Sequence, residues 1–175
     1  MAVYFTADTH FNSNRTLEHS KRPFSSVEEM DRILINNWNS IITNDDIVFH
    51  LGDFGDFKTA KQLNGQIILV PGNHERLNPD FINYNSCFTG ITQDITTLDY
   101  KGYHITMAHE PSLIRNNLID ETNINIFGHL HKLCMIKSFG INVGIDCHNY
   151  KPIDFDTILF YHNQLLTYYD NELLY

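Results

Sequence analysis

Five short clusters of ligand-type side chains recur between residues 8 and 131. They are Asp8-Thr9-His10, Gly52-Asp53, Gly72-Asn73-His74-Glu75, His109, and Gly128-His129-Leu130-His131. Asp8, Asp53, Asn73, His10, His109, His129 and His131 together offer two carboxylates, one amide oxygen and four imidazoles, with no thiolate. Seven O/N donors exceed what one tetrahedral zinc site takes. They suit two cations sharing a bridging carboxylate. Their softness favours Mn, Fe, Zn or Ni over Ca or Mg, which want more oxygens. His74 is left over as an acid or a phosphate contact. Taken alone, His109 reads as a structural histidine and Asn73 as a turn residue. The company of the other clusters turns both readings toward ligation.

These side chains act together only if the fold gathers them. The stretch QIILVPGNHE, residues 66–75, reads as a buried strand over Ile67–Val70, broken by Pro71-Gly72, with its polar groups delivered on the turn. Open α/β sheets collect ligands at the carboxyl ends of such strands. Residues 2–7 and 47–51 read the same way and end at Asp8 and at Gly52-Asp53. Between them, Ser26 and Glu29 have capping-box spacing and open an amphipathic helix over 27–42. A short helix over 58–63 follows, so the first half alternates strand and helix, the pattern of a parallel sheet. Residues 11–25 are polar, carry Pro23, and are expected to form a loop.

The second half predicts short strands over 88–91, 95–98, 103–108 and 124–127, with a hairpin turn at Lys101-Gly102. A short helix is expected over 112–117. Residues 133–137 and 141–145 are expected to pair across 138–140. Asp154 caps a terminal helix reaching Leu173, although Ile158–Tyr161 also fits a strand. His129 and His131 alternate, so in a regular strand they point to opposite faces. Both reach one site only if the chain has already left the sheet there, which Gly128 permits.

With 175 residues the chain is expected to form one domain, 1–175. No apolar run is long enough to cross a membrane. The N-terminus lacks a basic n-region and a cleavage-like site, so no signal peptide is expected. Three widely spaced cysteines, Cys87, Cys134 and Cys147, fit reduced thiols in a cytoplasmic protein. The formal charge is −9, from 12 Lys and Arg against 21 Asp and Glu. No basic face is visible, so a long nucleic acid is not an expected partner. A phosphate-bearing substrate remains compatible if bound cations supply positive charge locally.

The ordered set DTH, GD, GNHE, H and GHLH resembles the calcineurin-like metallophosphoesterase superfamily. The HLGD around Asp53 and the NVGID over residues 142–146 look like its small, cap-less bacterial and phage members. The resemblance implies an α/β fold, a four-layer α/β/β/α sandwich of two mixed sheets flanked by helices. It implies that Asp8, His10 and His131 bind one metal, that Asn73, His109 and His129 bind a second, and that Asp53 bridges them. It further implies a metal-bridged hydroxide attacking phosphorus in line, with the cations roughly 3.5–4 Å apart. His74 would serve as acid or phosphate contact, a contribution of about 10²–10⁴-fold. Manganese is the expected pair of divalent ions, with Fe, Zn or Ni as alternatives. Relatives that open like Thr9-His10-Phe11 often continue Gly-His, where this chain carries Asn12-Ser13. A rim histidine of those relatives therefore has no counterpart here.

The expected activity is that of a phosphodiesterase on a small or nucleotide-type phosphate ester, reached through an open, shallow site. The alternatives are a non-catalytic scaffold of the same fold and a nuclease acting on short single strands. No membrane partner is expected. The Tyr and Phe residues near the C-terminus leave a homodimer open, beside simple packing of the terminal helix. Glu75 is either a positioning carboxylate or a plain loop residue. His19 and His148 read as surface or loop residues with the site's rim as the alternative. His50 reads as a core or supporting residue, His104 as surface, and His162 as part of the terminal helix. Arg15 and Arg22 read as solvated, with a substrate-phosphate contact as the alternative, and Cys134 and Cys147 as buried and unreactive.

Overall fold

The computed structural model describes residues 1–169. Strands β1 (Val3–Thr6), β2 (Ile47–His50), β3 (Gln66–Leu69) and β4 (Gly90–Ile91) run parallel. A second sheet holds β5 (Ile95–Tyr100), β6 (Tyr103–Ala108), β7 (Asn123–Phe127), β8 (Ile136–Lys137) and β9 (Gly140–Asn142). Strand β10 (Ile153–Asp154) returns to pair antiparallel with β1. The orders are β10-β1-β2-β3-β4 and β5-β6-β7-β9-β8. Both sheets are mixed, and helices flank them: α1 (Asn14–His19), α2 (Val27–Asn39), α3 (Asn73–Leu77) and α4 (Phe155–Tyr168).

Side-chain alternation builds the layers. In β1, Val3 and Phe5 face the core between the sheets, while Tyr4 faces the other way; in β2, Phe49 faces that core and Val48 the opposite side. Ile105 and Met107 of β6 and Ile124 and Ile126 of β7 meet them from the second sheet. The outer face of the first sheet buries Val48, Ile67 and Leu69 against Met30, Leu34 and Trp38 of α2. Those three helical residues share one stripe because they recur at helical spacing. The fully buried Trp38 satisfies its indole by donating to the Asn64 carbonyl at 2.9 Å. Phe155 and Ile158 of α4 close the inter-sheet core.

Several expectations need correction. Residues 11–25 contain α1, started by Ser13, whose hydroxyl accepts from the Thr16 amide at 3.1 Å. A six-residue helix with few apolar residues carries no periodicity to read. The expected helices over 58–63 and 112–117 are 3₁₀ turns at Phe57–Gln62 and Pro111–Leu113. Helix α2 ends three residues early, at Asn39. The strand expected over 88–91 shrinks to β4, and the pair over 133–137 and 141–145 to β8 and β9. The terminal segment is a helix from Phe155 capped by Asp154, whose carboxylate accepts from the Thr157 amide at 2.8 Å. Leu173 lies outside the described residues.

Candidate metal centre

The chain leaves β1, β2, β3, β6 and β7 at the same edge of the sandwich, and each exit delivers one cluster. Asp8 and His10 follow β1, Asp53 follows β2, and Asn73 and His74 open α3 after β3. His109 follows β6, while His129 and His131 follow β7. Backbone bonds tie the exits together: the Asp8 and His10 amides donate to the Gly52 and Asp53 carbonyls, and the Gly128 amide donates to the His109 carbonyl, each at 3.0 Å. Gly128 is required by space. A Cβ there would sit 2.6 Å from Ala7 Cβ and 2.8 Å from Asp8 Oδ2.

All seven candidate ligands converge. Ligand atoms of Asp8, His10 and His131 lie within 4.8 Å of one another, as do those of Asp53, His109 and His129. His109 Nε2 faces Asn73 Oδ1 at 3.1 Å, His129 Nδ1 at 3.2 Å and Asp53 Oδ2 at 3.4 Å. Its Nδ1 donates to the Leu51 carbonyl at 2.7 Å, leaving Nε2 with a lone pair for a cation. His10 Nε2 stands 3.5 Å from Asp53 Oδ2, which places Asp53 between the two groups. Asp8 Oδ1 and His10 Nε2 are buried and make no hydrogen bond among the described residues. Buried polar atoms without partners are rare. Here they point into a ring of O and N donors, so the residues fit divalent cations. His129 and His131 reach the same centre because both adopt left-handed backbone, at φ 70° and 48°, and have left the sheet.

The electrostatics run the same way. Burial pushes the Asp8 carboxyl up to about 6, against the pull of His109 and His131. Burial pushes His10 down to about 3, although Asp53 pulls it up. Burial also acts on Asp53 and His109, but their mutual contact outweighs it, holding the carboxyl low and the imidazole high. A buried cluster that relies on shared protons for its positive charge is one that cations would stabilise.

Three supporting residues complete the centre. Glu75 is buried and accepts from the Asp53 and Gly72 amides, each at 2.8 Å, and from the Phe54 amide at 2.9 Å. It therefore locks the Asp53 loop to the Asn73 loop. Asp146 accepts from His131 Nδ1 at 2.7 Å and from Arg22 Nη2 and Nε at 2.8 and 2.9 Å. Burial works against the Asp146 carboxylate, yet these donors hold it down at about 2. Arg22 also donates to the Asp8 and Thr9 carbonyls at 2.6 and 2.8 Å. The sequence reading of Arg22 as a solvated residue fails because this buried guanidinium joins two segments 124 positions apart. Nothing in the local sequence assigns Asp146 a role, and its place in NVGID is the one signal near it.

The remaining histidines divide. His74 is half exposed, with Nε2 3.7 Å from Asp53 Oδ2 and its amide donating to Asp53 Oδ1 at 3.0 Å. His19 and Arg15 of α1 wall a cavity of about 300 Å³ above the ligands. His50 lies behind the centre, 2.9 Å from Thr9 Oγ1. His148 is turned away from the rim, with Nε2 2.7 Å from the Asn142 carbonyl. His162 reaches the Asp120 carbonyl at 2.8 Å, and His104 is exposed beside Asp99. Cys134 and Cys147 are half buried, and burial pushes the Cys147 thiol up to about 11.

Residues 1–151 match the model of the calcineurin-like phosphoesterase superfamily domain. An uncharacterized protein of Methanocaldococcus jannaschii is 32% identical over 170 residues, covering 90% of this chain and 89% of that protein. Among solved structures, a protein of unknown function from Aquifex aeolicus superposes with a TM-score of 0.75 at 25% identity, over 90% of this chain and 97% of that one. An archaeal phosphodiesterase superposes with a TM-score of 0.55 at 19% identity, over 90% and 96%. This last likeness concerns the fold alone.

Proposed function

This chain belongs to the calcineurin-like phosphoesterase superfamily, and on that premise we propose that it is a metal-dependent phosphodiesterase acting on a small phosphate ester of nucleotide type. The observation that carries this reading is the convergence of seven O/N donors around Asp53, with buried Asp8 Oδ1 and His10 Nε2 left unpartnered. Asp8, His10 and His131 would hold one divalent ion, and Asn73, His109 and His129 a second, with Asp53 between them. Manganese is the first ion to try, then Fe, Zn and Ni. Cations so held supply Lewis acidity, drawing charge from phosphoryl oxygens and making bound water acidic near neutral pH.

The chain's own groups do the rest. Leu51 and Asp146 fix the ring orientation of His109 and His131 by accepting from Nδ1. Glu75 holds the backbone that carries Asp53 and Asn73. His74 stands on the open side of Asp53, where its imidazole can contact the phosphoryl group and protonate a leaving oxygen. The open rim suits a diester with room for both arms. Neither a membrane nor a long nucleic acid is an expected partner, and the free cysteines fit the reducing cytoplasm.

The test is hydrolysis of a bis-aryl phosphodiester beside an aryl phosphomonoester, with Mn²⁺ added or chelated. Diester turnover that vanishes with chelator and falls in Asp53→Asn and His74→Ala supports the reading. No turnover with any of the four metals, together with no metal binding by calorimetry, refutes it and leaves a scaffold.

A further inference from the structure

The groove at the metal centre has two lobes, and His10 and His74 form the divide. Their rings stand edge to face with centroids 4.9 Å apart, and both residues line both lobes. The first lobe, about 300 Å³, lies over the ligands beneath Arg15 and His19, and Asp53 is the only carboxylate in its described lining. The second, about 490 Å³, runs away from the ligands and is lined by Asn12, Asp56, Lys58, Asn78 and Tyr84 among others.

The lobes differ in charge. The first adds the Arg15 guanidinium to whatever charge the centre holds and the His19 imidazole as a hydrogen-bonding group, which suits a phosphate. The second sets Lys58 against Asp56 and is neutral in sum. It combines two amides with the ring of Tyr84, which rests on Phe57 at a centroid distance of 5.1 Å. A neutral lobe with an aromatic plane and several hydrogen-bonding groups matches a nucleoside better than another phosphate. Its volume falls in the ~300–1,000 Å³ range of small-molecule sites.

We propose that the substrate is a short nucleotide phosphodiester whose scissile phosphate occupies the first lobe and whose leaving nucleoside occupies the second, with its base against Tyr84. This rests on the phosphodiesterase reading and narrows it. In the reaction, water adds to phosphorus and yields a proton to solvent. The bond from phosphorus to the leaving oxygen breaks with its electron pair, and that oxygen takes a proton from His74 at the divide. The products are a free nucleoside and a phosphomonoester, which stays in the first lobe until release. His74 recovers its proton from solvent.

The test uses the full chain loaded with Mn²⁺, adenylyl-(3′,5′)-adenosine and bis(p-nitrophenyl) phosphate as substrates, and the variants Tyr84→Ala and Tyr84→Phe. Tyr84→Ala should raise KM for the dinucleoside about 5- to 150-fold, the range carried by base–aromatic stacking. The loss should fall on KM rather than kcat, because stacking on the leaving arm acts alike in the ground state and the transition state. Tyr84→Phe should behave as wild type because it keeps the ring. Independently of activity, saturation-transfer NMR on the metal-free protein should show adenosine base protons in contact, and Tyr84→Ala should abolish that signal. If the aryl diester is cleaved but the dinucleoside is not, or Tyr84→Ala moves neither KM nor the NMR signal, the lobe assignment is overturned and the phosphodiesterase stands. If neither diester is cleaved with any metal, the parent reading falls and takes this one with it.

Discussion

Replacing Asp146 by Asn tests whether one carboxylate, outside the ligand set, holds half of the centre together. Its Oδ2 receives both His131 Nδ1 and Arg22 Nη2, and its Oδ1 receives Arg22 Nε. An amide oxygen in the Oδ2 position keeps two of these contacts and turns an N–H against Arg22 Nε. The opposite orientation turns it against both His131 and Arg22 Nη2. Both side chains of the Arg22–Asp146 pair have zero exposure, and breaking such a buried pair costs roughly 3–5 kcal/mol. Arg22 keeps the Asp8 and Thr9 carbonyls, so the lower end applies. At ~2–4 °C per kcal/mol for a chain of this size, Tm should fall by roughly 6–12 °C. In the proposed centre His131 is a ligand, and loosening a ligating histidine costs about 10- to 100-fold in metal affinity. That loss should fall on the site of Asp8, His10 and His131, because the contacts of His109 and His129 do not include Asp146. Thermal unfolding of the metal-free protein and a calorimetric Mn²⁺ titration read the two effects separately. An unchanged Tm with both affinities intact, or an equal loss at both sites, would refute the reasoning.

Two further predictions use other parts of the fold. Gly128→Ala places a methyl group against Ala7 and the Asp8 carboxylate. It should cost about 1–3 kcal/mol by overpacking and weaken Mn²⁺ binding, whereas Gly90→Ala, with nothing within 4 Å of the new Cβ, should stay within about 0.5 kcal/mol; urea midpoints compare them. Asp46 is held down at about 2, first by the Ala2 amide and then by the Thr43 amide and hydroxyl. Its unfolded pKa is about 3.9, so its stabilising contribution is complete above that value and disappears as pH falls toward 2. The stability gap between wild type and Asp46→Asn should therefore be constant from pH 7 to 5 and close below pH 4. A gap that widens on acidification would contradict the assignment.

Ligand types at the strand ends are legible in sequence because apolar runs stop abruptly there. Ile67–Val70 cannot continue through Pro71-Gly72, and whatever follows must lie at the sheet's edge. The amphipathic period of α2 is legible for a similar reason, since Met30, Leu34 and Trp38 have one face to bury. Helix α1 is not legible. Its positioning rests on one serine cap and on Thr16 and Leu17, and its cavity-facing residues, Arg15 and His19, are polar like any loop. Arg22 and Asp146 are hidden for another reason. A charged residue declares its partner only through tertiary contact, and these two are 124 positions apart.

Backbone strain at the ligands is the part that no local pattern announces. Asp8, His10, Asp53, His129 and His131 all adopt left-handed backbone, at φ 59°, 48°, 56°, 70° and 48°. Asp and His tolerate that region better than most residues, yet each instance costs of order 1–3 kcal/mol and persists only where the surroundings over-determine it. The surroundings here are the other ligand loops. The Asp8 amide is held by the Gly52 carbonyl, the His10 amide by the Asp53 carbonyl, and the His129 amide by Asp8 Oδ2 at 2.8 Å. Each strained loop is thus fixed by a loop from a different strand, so no cluster reaches its geometry alone. The site forms as one unit with the sandwich. Loss of the His10 or His129 side chain, which holds no backbone amide, would leave this backbone frame in place, whereas loss of Glu75, which binds no metal in this reading, would free the Asp53, Phe54 and Gly72 amides. For this centre the residues that support the frame constrain its geometry as tightly as the residues that face the cations.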